Sequence, residues 1–119
     1  MNGLVGLQQG VLVPSQISPC HGGYLYGRGV KCHSHWSPVD LMEAVQTSCN
    51  AYFCYVFRDI IENRKYGDIG KGLDVWKEYV NSFGFGRKLG SDFTSELNGY
   101  VPNSEFYDKA YRGRWNGLT

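Results

Sequence analysis

The chain has 119 residues, with 12 basic against 11 acidic side chains and a net charge of +1. That length suits one domain, 42% hydrophobic and 15% aromatic residues suffice for a core, and wholesale disorder is excluded. Near-neutral charge without a dense Lys/Arg block gives no basis for nucleic-acid binding, and no apolar run approaches the roughly 18 residues of a membrane helix.

Leu4, Leu7 and Val11 fall at helical spacing in the first twelve residues, but Gly3 and Gly6 each weaken such a helix by about 1 kcal/mol relative to alanine. The helix therefore needs a partner, and the chain reads as though it starts inside a longer pattern. Pro14 and Pro19 end it. Two short β-prone pieces around Gly27 to Gly29 predict a hairpin with Cys20 and Cys32 near its open ends.

Ser37-Pro38-Val39-Asp40 reads as a helix start, with serine as cap, proline in the first turn and Asp40 at the positive end of the dipole. The turn that follows is expected to bury Leu41, Ala44 and Val45. Phe53, Val56, Phe57, Ile60 and Ile61 form a continuous apolar stripe on a second helix. After a polar connection over 63–70, a third helix over roughly 71–82 carries Leu73, Trp76 and Val80, then Phe83, and stops at Gly84. Beyond it the chain loses periodicity, and extended loops with at most one short helix are expected.

The four cysteines are Cys20, Cys32, Cys49 and Cys54. With His35, three of them give the spacing C-x11-C-x2-H-x13-C. Three thiolates and an imidazole are an ordinary tetrahedral zinc set, although this is not a regular zinc-finger spacing. His33 competes with His35 as the fourth ligand, and a Cys20–Cys32 disulfide or unpaired thiols remain alternatives. Cys54 adjoins the apolar stripe and reads as a small buried hydrophobe rather than a nucleophile. Asp59 and Glu62 read as a solvated helix face. Tyr24, Tyr26, Trp36 and Trp115 read as scattered core filling rather than a stacking surface. The glycine-rich stretches lack the lysine and the strand–helix context of a phosphate loop.

Three stretches occur in a telling order. Asn2-Gly3-Leu4 through Gly10-Val11-Leu12 opens the chain; Ser48-Cys49-Asn50 is followed by Ala51-Tyr52-Phe53; and Phe83-Gly84-Phe85-Gly86 leads to Gly90-Ser91-Asp92 and Glu96. Together they resemble the transpeptidase domain of class B penicillin-binding proteins, in the elongation-type penicillin-binding protein 2 group. The first is similar to the helix after the nucleophile motif, the second to S-x-N with its aromatic follow-on, the third to F-G-F-G-x-x-T-G-x-D-x-P-x-E. Leu89 stands in place of the threonine, and Ser95 falls beside the usual proline. No serine has lysine three residues on, and K-[ST]-G is absent, with Lys65-Tyr66-Gly67 and Lys88-Leu89-Gly90 only imitating its outline. The resemblance implies an internal segment, residues 1–119, that lies between the nucleophile helix and the sheet of the third motif.

The fold it implies is α+β and mainly helical: a helical subdomain with a small β-hairpin and a long irregular C-terminal segment. The activity implied for the complete protein is peptidoglycan D,D-transpeptidation, with stem peptides as substrates and β-lactams as acylating ligands; the segment alone is expected to be inactive. Ser48 would relay a proton and Asn50 would orient substrate, which requires positions 48–50 to be a turn or extended break, since residues two apart on a helix diverge by about 200°. Without the resemblance, the same pair reads as a helix cap. The resemblance also implies metal-ligand residues in corresponding places, which favours zinc, whereas a periplasmic setting favours oxidation. The resemblance further implies cell-elongation membrane partners and a bacterial cytoplasmic membrane location with the catalytic domain on the periplasmic side, membrane contact being made through an N-terminal anchor outside this chain. The rival account is a free-standing zinc-stabilised binding module.

Overall fold

A computed structural model describes residues 1–24, 29–92 and 94–112. Among these, five α-helices and a two-stranded sheet give the α+β, mainly helical architecture expected. The tip of the hairpin, Tyr26 and Trp115 lie outside the described residues.

Helix α1 (Asn2–Gln9) ends at Gly10, whose left-handed backbone lets its amide close on the Gly6 and Leu7 carbonyls. Gly6, a weakness in an isolated helix, is a contact here. A Cβ at that position would lie 3.0 Å from the Val56 side chain and 3.1 Å from Leu12, so the missing methyl lets α1 settle against the helix carrying Val56.

The chain then runs through an antiparallel bridge between Ser18 and Val39, with paired bonds of 2.9 and 3.0 Å. Strand β1 (Gly23–Tyr24) pairs with β2 (Val30–Lys31), Gly23 opposite Lys31 and Tyr24 opposite Val30. The Cys32 amide donates to the Gly22 carbonyl at 2.9 Å and extends the pairing to the open end.

Helix α2 (Leu41–Thr47) starts later than the Ser37-Pro38 signal predicts. Asp40 is the N-cap, accepting from the Glu43 amide at 2.9 Å while the Glu43 carboxylate accepts from the Asp40 amide at 3.0 Å. This capping box satisfies two free donors at once. The Ser37 hydroxyl accepts from the Cys20 amide at 2.9 Å instead. Ala44 is buried as expected, but Leu41 is only half-buried and Val45 is 59% exposed. With seven residues, α2 puts a single side of its first turns into the core.

Helix α3 (Asn50–Ile61) is the centre of the fold and packs on α1, α4, β1 and β2. Its Val56, Ile60 and Ile61 are buried, with Phe53 and Phe57 packed beside them. A 3₁₀ turn (Arg64–Tyr66) leads into α4 (Ile69–Ser82), capped by Asp68. Leu73 and Val80 are buried, whereas Phe83 is 52% exposed and has left the apolar face. A Cβ on Gly72 would collide with the Ile61 carbonyl oxygen, so α4 crosses the end of α3 backbone to backbone. Among its described residues, the irregular region contains one short helix, α5 (Ser104–Tyr111), which Asn103 caps and Asp74 tethers through the Ser104 amide and hydroxyl at 2.9 and 2.7 Å.

Trp36 is 53% exposed, so it does not fill the core, while Tyr24 does. Cys54 is half-buried against the core, and Asp59 and Glu62 are exposed, Glu62 paired with Arg58 at 2.9 Å.

Candidate functional site

The break between α2 and α3 is two residues long. Ser48 closes α2 in the left-handed region, at φ 52° and ψ 46°, and its amide is bonded into the last turn. Cys49 is extended, at φ −68° and ψ 105°, and Asn50 is the first residue of α3. Three consecutive residues thus have three different backbone conformations, and their side chains diverge. Ser48 and Asn50 line one cavity of about 830 Å³, with Met1, Gly3, Asp40 and Leu41 among its other walls. Cys49, with 0% exposure, points the other way, and its sulfur caps α3 by accepting from the Tyr52 amide at 3.5 Å. Cys49 is therefore the N-cap of α3, while Ser48 is the C-cap of α2.

The cavity is more apolar than the motif alone suggests. Leu4 and Leu7 of α1, Met42 and Val45 of α2 and Phe53 of α3 line it, and Met42 is 75% exposed. Sequence patterning assigned Val45 to the core because period cannot distinguish a buried face from a cleft wall.

Behind the break, the sulfurs of Cys20, Cys32 and Cys49 and a ring nitrogen of His35 all lie within 4.8 Å of one another. They come from three separate segments of the chain, none of them inside a helix or strand. Cys20 follows the Ser18–Val39 bridge and is held by Ser37; Cys32 follows β2; His35 lies in the loop after it; Cys49 precedes α3. All four cysteines are free thiols, so the Cys20–Cys32 disulfide is not formed. His35, and not His33, completes the group.

The local chemistry suits ligation. His35 Nδ1 lies 2.6 Å from the Trp36 carbonyl, which can only accept, so Nδ1 carries the proton and Nε2 faces the Cys32 sulfur at 3.3 Å. That carbonyl raises the His35 pKa, with Cys32 adding to the effect. At Cys32, burial opposes ionisation, but the Asn50 amide, His35, the Ala51 amide and Cys20 outweigh it and lower the pKa to about 6. Burial pushes Cys49 up to about 11; the Tyr52 amide opposes this, and neighbouring Cys20 and Cys32 add to it. A cation among these sulfurs would reverse that penalty. Three thiols and one correctly tautomerised imidazole fit a tetrahedral divalent metal of the zinc type.

One contact has no counterpart in the sequence signals. Asn50 Nδ2 donates to the Lys31 carbonyl at 3.0 Å, immediately before Cys32. It is a backbone acceptor, and no residue identity announces it. Glu96, by contrast, was visible as the last residue of the third stretch, and its carboxylate accepts from the Leu89 and Ser91 amides and the Ser91 hydroxyl.

Residues 1–113 match the family model described as the penicillin binding protein transpeptidase domain, and the chain belongs to that family. The match spans both the Ser48–Asn50 break and the cysteine cluster. The chain is also similar to the peptidoglycan D,D-transpeptidase MrdA of Acinetobacter baumannii, 31% identical over 77 residues. Those residues are 65% of this chain and 10% of that protein. Among the described residues, no helix is long and apolar enough to cross a membrane.

Proposed function

We propose that this chain is the S-x-N-bearing part of a peptidoglycan D,D-transpeptidase of the penicillin-binding protein 2 type. The observation that carries the reading is the divergence at the break: Ser48 and Asn50 open on one cavity while Cys49 between them belongs to the cluster behind. In the complete protein, a serine of the S-x-x-K motif attacks the stem-peptide carbonyl with the motif's lysine accepting its proton. The Ser48 hydroxyl passes a proton toward the leaving nitrogen. Asn50 spends one Nδ2 proton on Lys31 and keeps the other, together with Oδ1, for the peptide. β-Lactams enter by the same acylation. The periplasmic face of the cytoplasmic membrane and cell-elongation partners follow from the resemblance to the elongation-type group.

Cys20, Cys32, Cys49 and His35 would hold zinc, which supplies folding energy and ligand orientation. Its ligands come from the base of the hairpin and from the residue between Ser48 and Asn50, so this set ties the motif to the hairpin without touching substrate.

The test is Ser48→Ala and Asn50→Ala in the complete protein, followed by fluorescent-penicillin acylation and thermal melts. Loss of a positioned proton-transfer or substrate-binding group is expected to slow acylation by about 10²- to 10⁴-fold at a nearly unchanged melting temperature. Near-wild-type acylation with a collapsed melting temperature would assign both residues a structural role instead.

A further inference from the structure

We propose that Cys20 and Cys32 form a thiol–disulfide exchange site for low-molecular-weight disulfides, and that their bond and the bound metal exclude one another. The second half of this statement rests on the metal reading above.

Three sulfurs lie within 4.8 Å of one another, yet they differ in access. Cys49 is 0% exposed, beneath α3. Cys20 and Cys32 are half-buried and line an open cavity of about 320 Å³ together with Gly22, His33, Ser34 and His35. An incoming disulfide therefore meets Cys20 and Cys32 and is screened from Cys49. Cys54 is on the same helix as the buried cap but outside the group. The backbone already brings the two accessible positions together, because the Cys32 amide is bonded to the Gly22 carbonyl at 2.9 Å, two residues from Cys20. The two sulfurs already lie within 4.8 Å of each other.

The exchange balances without a further reagent. One cysteine thiolate attacks a sulfur of the small disulfide, forming a mixed disulfide and expelling one thiolate, which takes up a proton. The second cysteine thiolate attacks the protein sulfur of that mixed disulfide, forming the Cys20–Cys32 bond and releasing the other half of the reagent as a thiol. Two electrons pass from the cysteine pair to the small disulfide. The bonded sulfurs no longer serve as thiolate ligands, and Cys49 with His35 is half of a tetrahedral set. Metal release accompanies the bond.

The experiment uses the full chain, reduced and loaded with zinc, mixed with an excess of oxidised glutathione. Released zinc is read with a colorimetric chelator, and cysteine pairing by mass spectrometry of proteolytic peptides. The expected result is loss of about one zinc per chain with a Cys20–Cys32 linked peptide, both reversed by dithiothreitol and zinc. Cys54→Ser should behave identically, and Cys20→Ser should stop at a glutathione adduct on Cys32. Retained zinc with unlinked Cys20 and Cys32, or a linkage through Cys49, overturns the exchange site and leaves the metal reading standing. A reduced chain that takes up no zinc but still forms the Cys20–Cys32 bond overturns the metal reading and leaves the exchange site standing.

Discussion

Trp76 Nε1 donates to Asn2 Oδ1 at 2.9 Å, joining α4 to the first turn of α1 across 74 positions of sequence. The same indole stands edge-on to Phe57, with ring centres 5.2 Å apart, so one side chain joins three helices. Trp76→Phe keeps the aromatic contact and drops the donor, and should cost about 1 kcal/mol. Trp76→Ala removes both and should cost about 3–5 kcal/mol. Urea denaturation separates the two; equal losses would mean that the hydrogen bond dominates.

Gly72 faces the Ile61 carbonyl with no room for a methyl. Gly72→Ala should therefore push α4 off the end of α3 and cost about 3 kcal/mol, the upper part of the range for overpacking. The helix propensity of alanine works in the opposite direction by about 1 kcal/mol and is outweighed. A stabilised variant in thermal denaturation would show that the crossing is looser than described.

The two cysteines of the α3 region should respond oppositely to the same substitution. Cys49→Ser removes a sulfur from the cluster, and zinc content measured by elemental analysis should fall from about one per chain toward zero, with a lower melting temperature. Cys54→Ser leaves the cluster intact and should retain zinc. Equal zinc content in both variants would separate Cys49 from the metal.

Glu96 accepts from the Leu89 amide first, then from Ser91, and these bonds hold its pKa below the ordinary 4.5. A carboxylate depressed in the folded state contributes its stability above the unfolded value, and that contribution fades as pH falls through the lower folded value. Acidification from pH 5 should thus release the 89–91 segment before the helices respond. NMR titration should show a Glu96 midpoint below that of a free glutamate, with the Leu89 amide shift following the same curve. A Glu96→Gln variant should lose that coupled movement.

The sequence made the centre of the fold legible and its edges less so. The α3 stripe is read directly because that helix is packed on several sides, and its period survives. The start of α2 falls later than Ser37 and Pro38 suggest, because Asp40 and Glu43 satisfy the capping rules better, and the Asp-x-x-Glu spacing is the signal for it. Val45 carries a core-like pattern but lines a cleft. The cysteine cluster could be assembled from spacing and resemblance, since sulfur and imidazole announce their chemistry. The Lys31 carbonyl that holds Asn50 could not, because a main-chain acceptor has no letter in the sequence.

Ser48 adopts a left-handed backbone that costs an L-residue roughly 1–2 kcal/mol and that glycine enters freely. Under the proposed relay role of Ser48, heat resistance and activity favour different letters at this position. A library of variants challenged only by temperature should drift toward glycine at 48, while one that must sustain a dividing bacterium should hold on to serine. Enrichment of opposite residues under the two regimes would mark the hydroxyl as something maintained against the fold rather than by it.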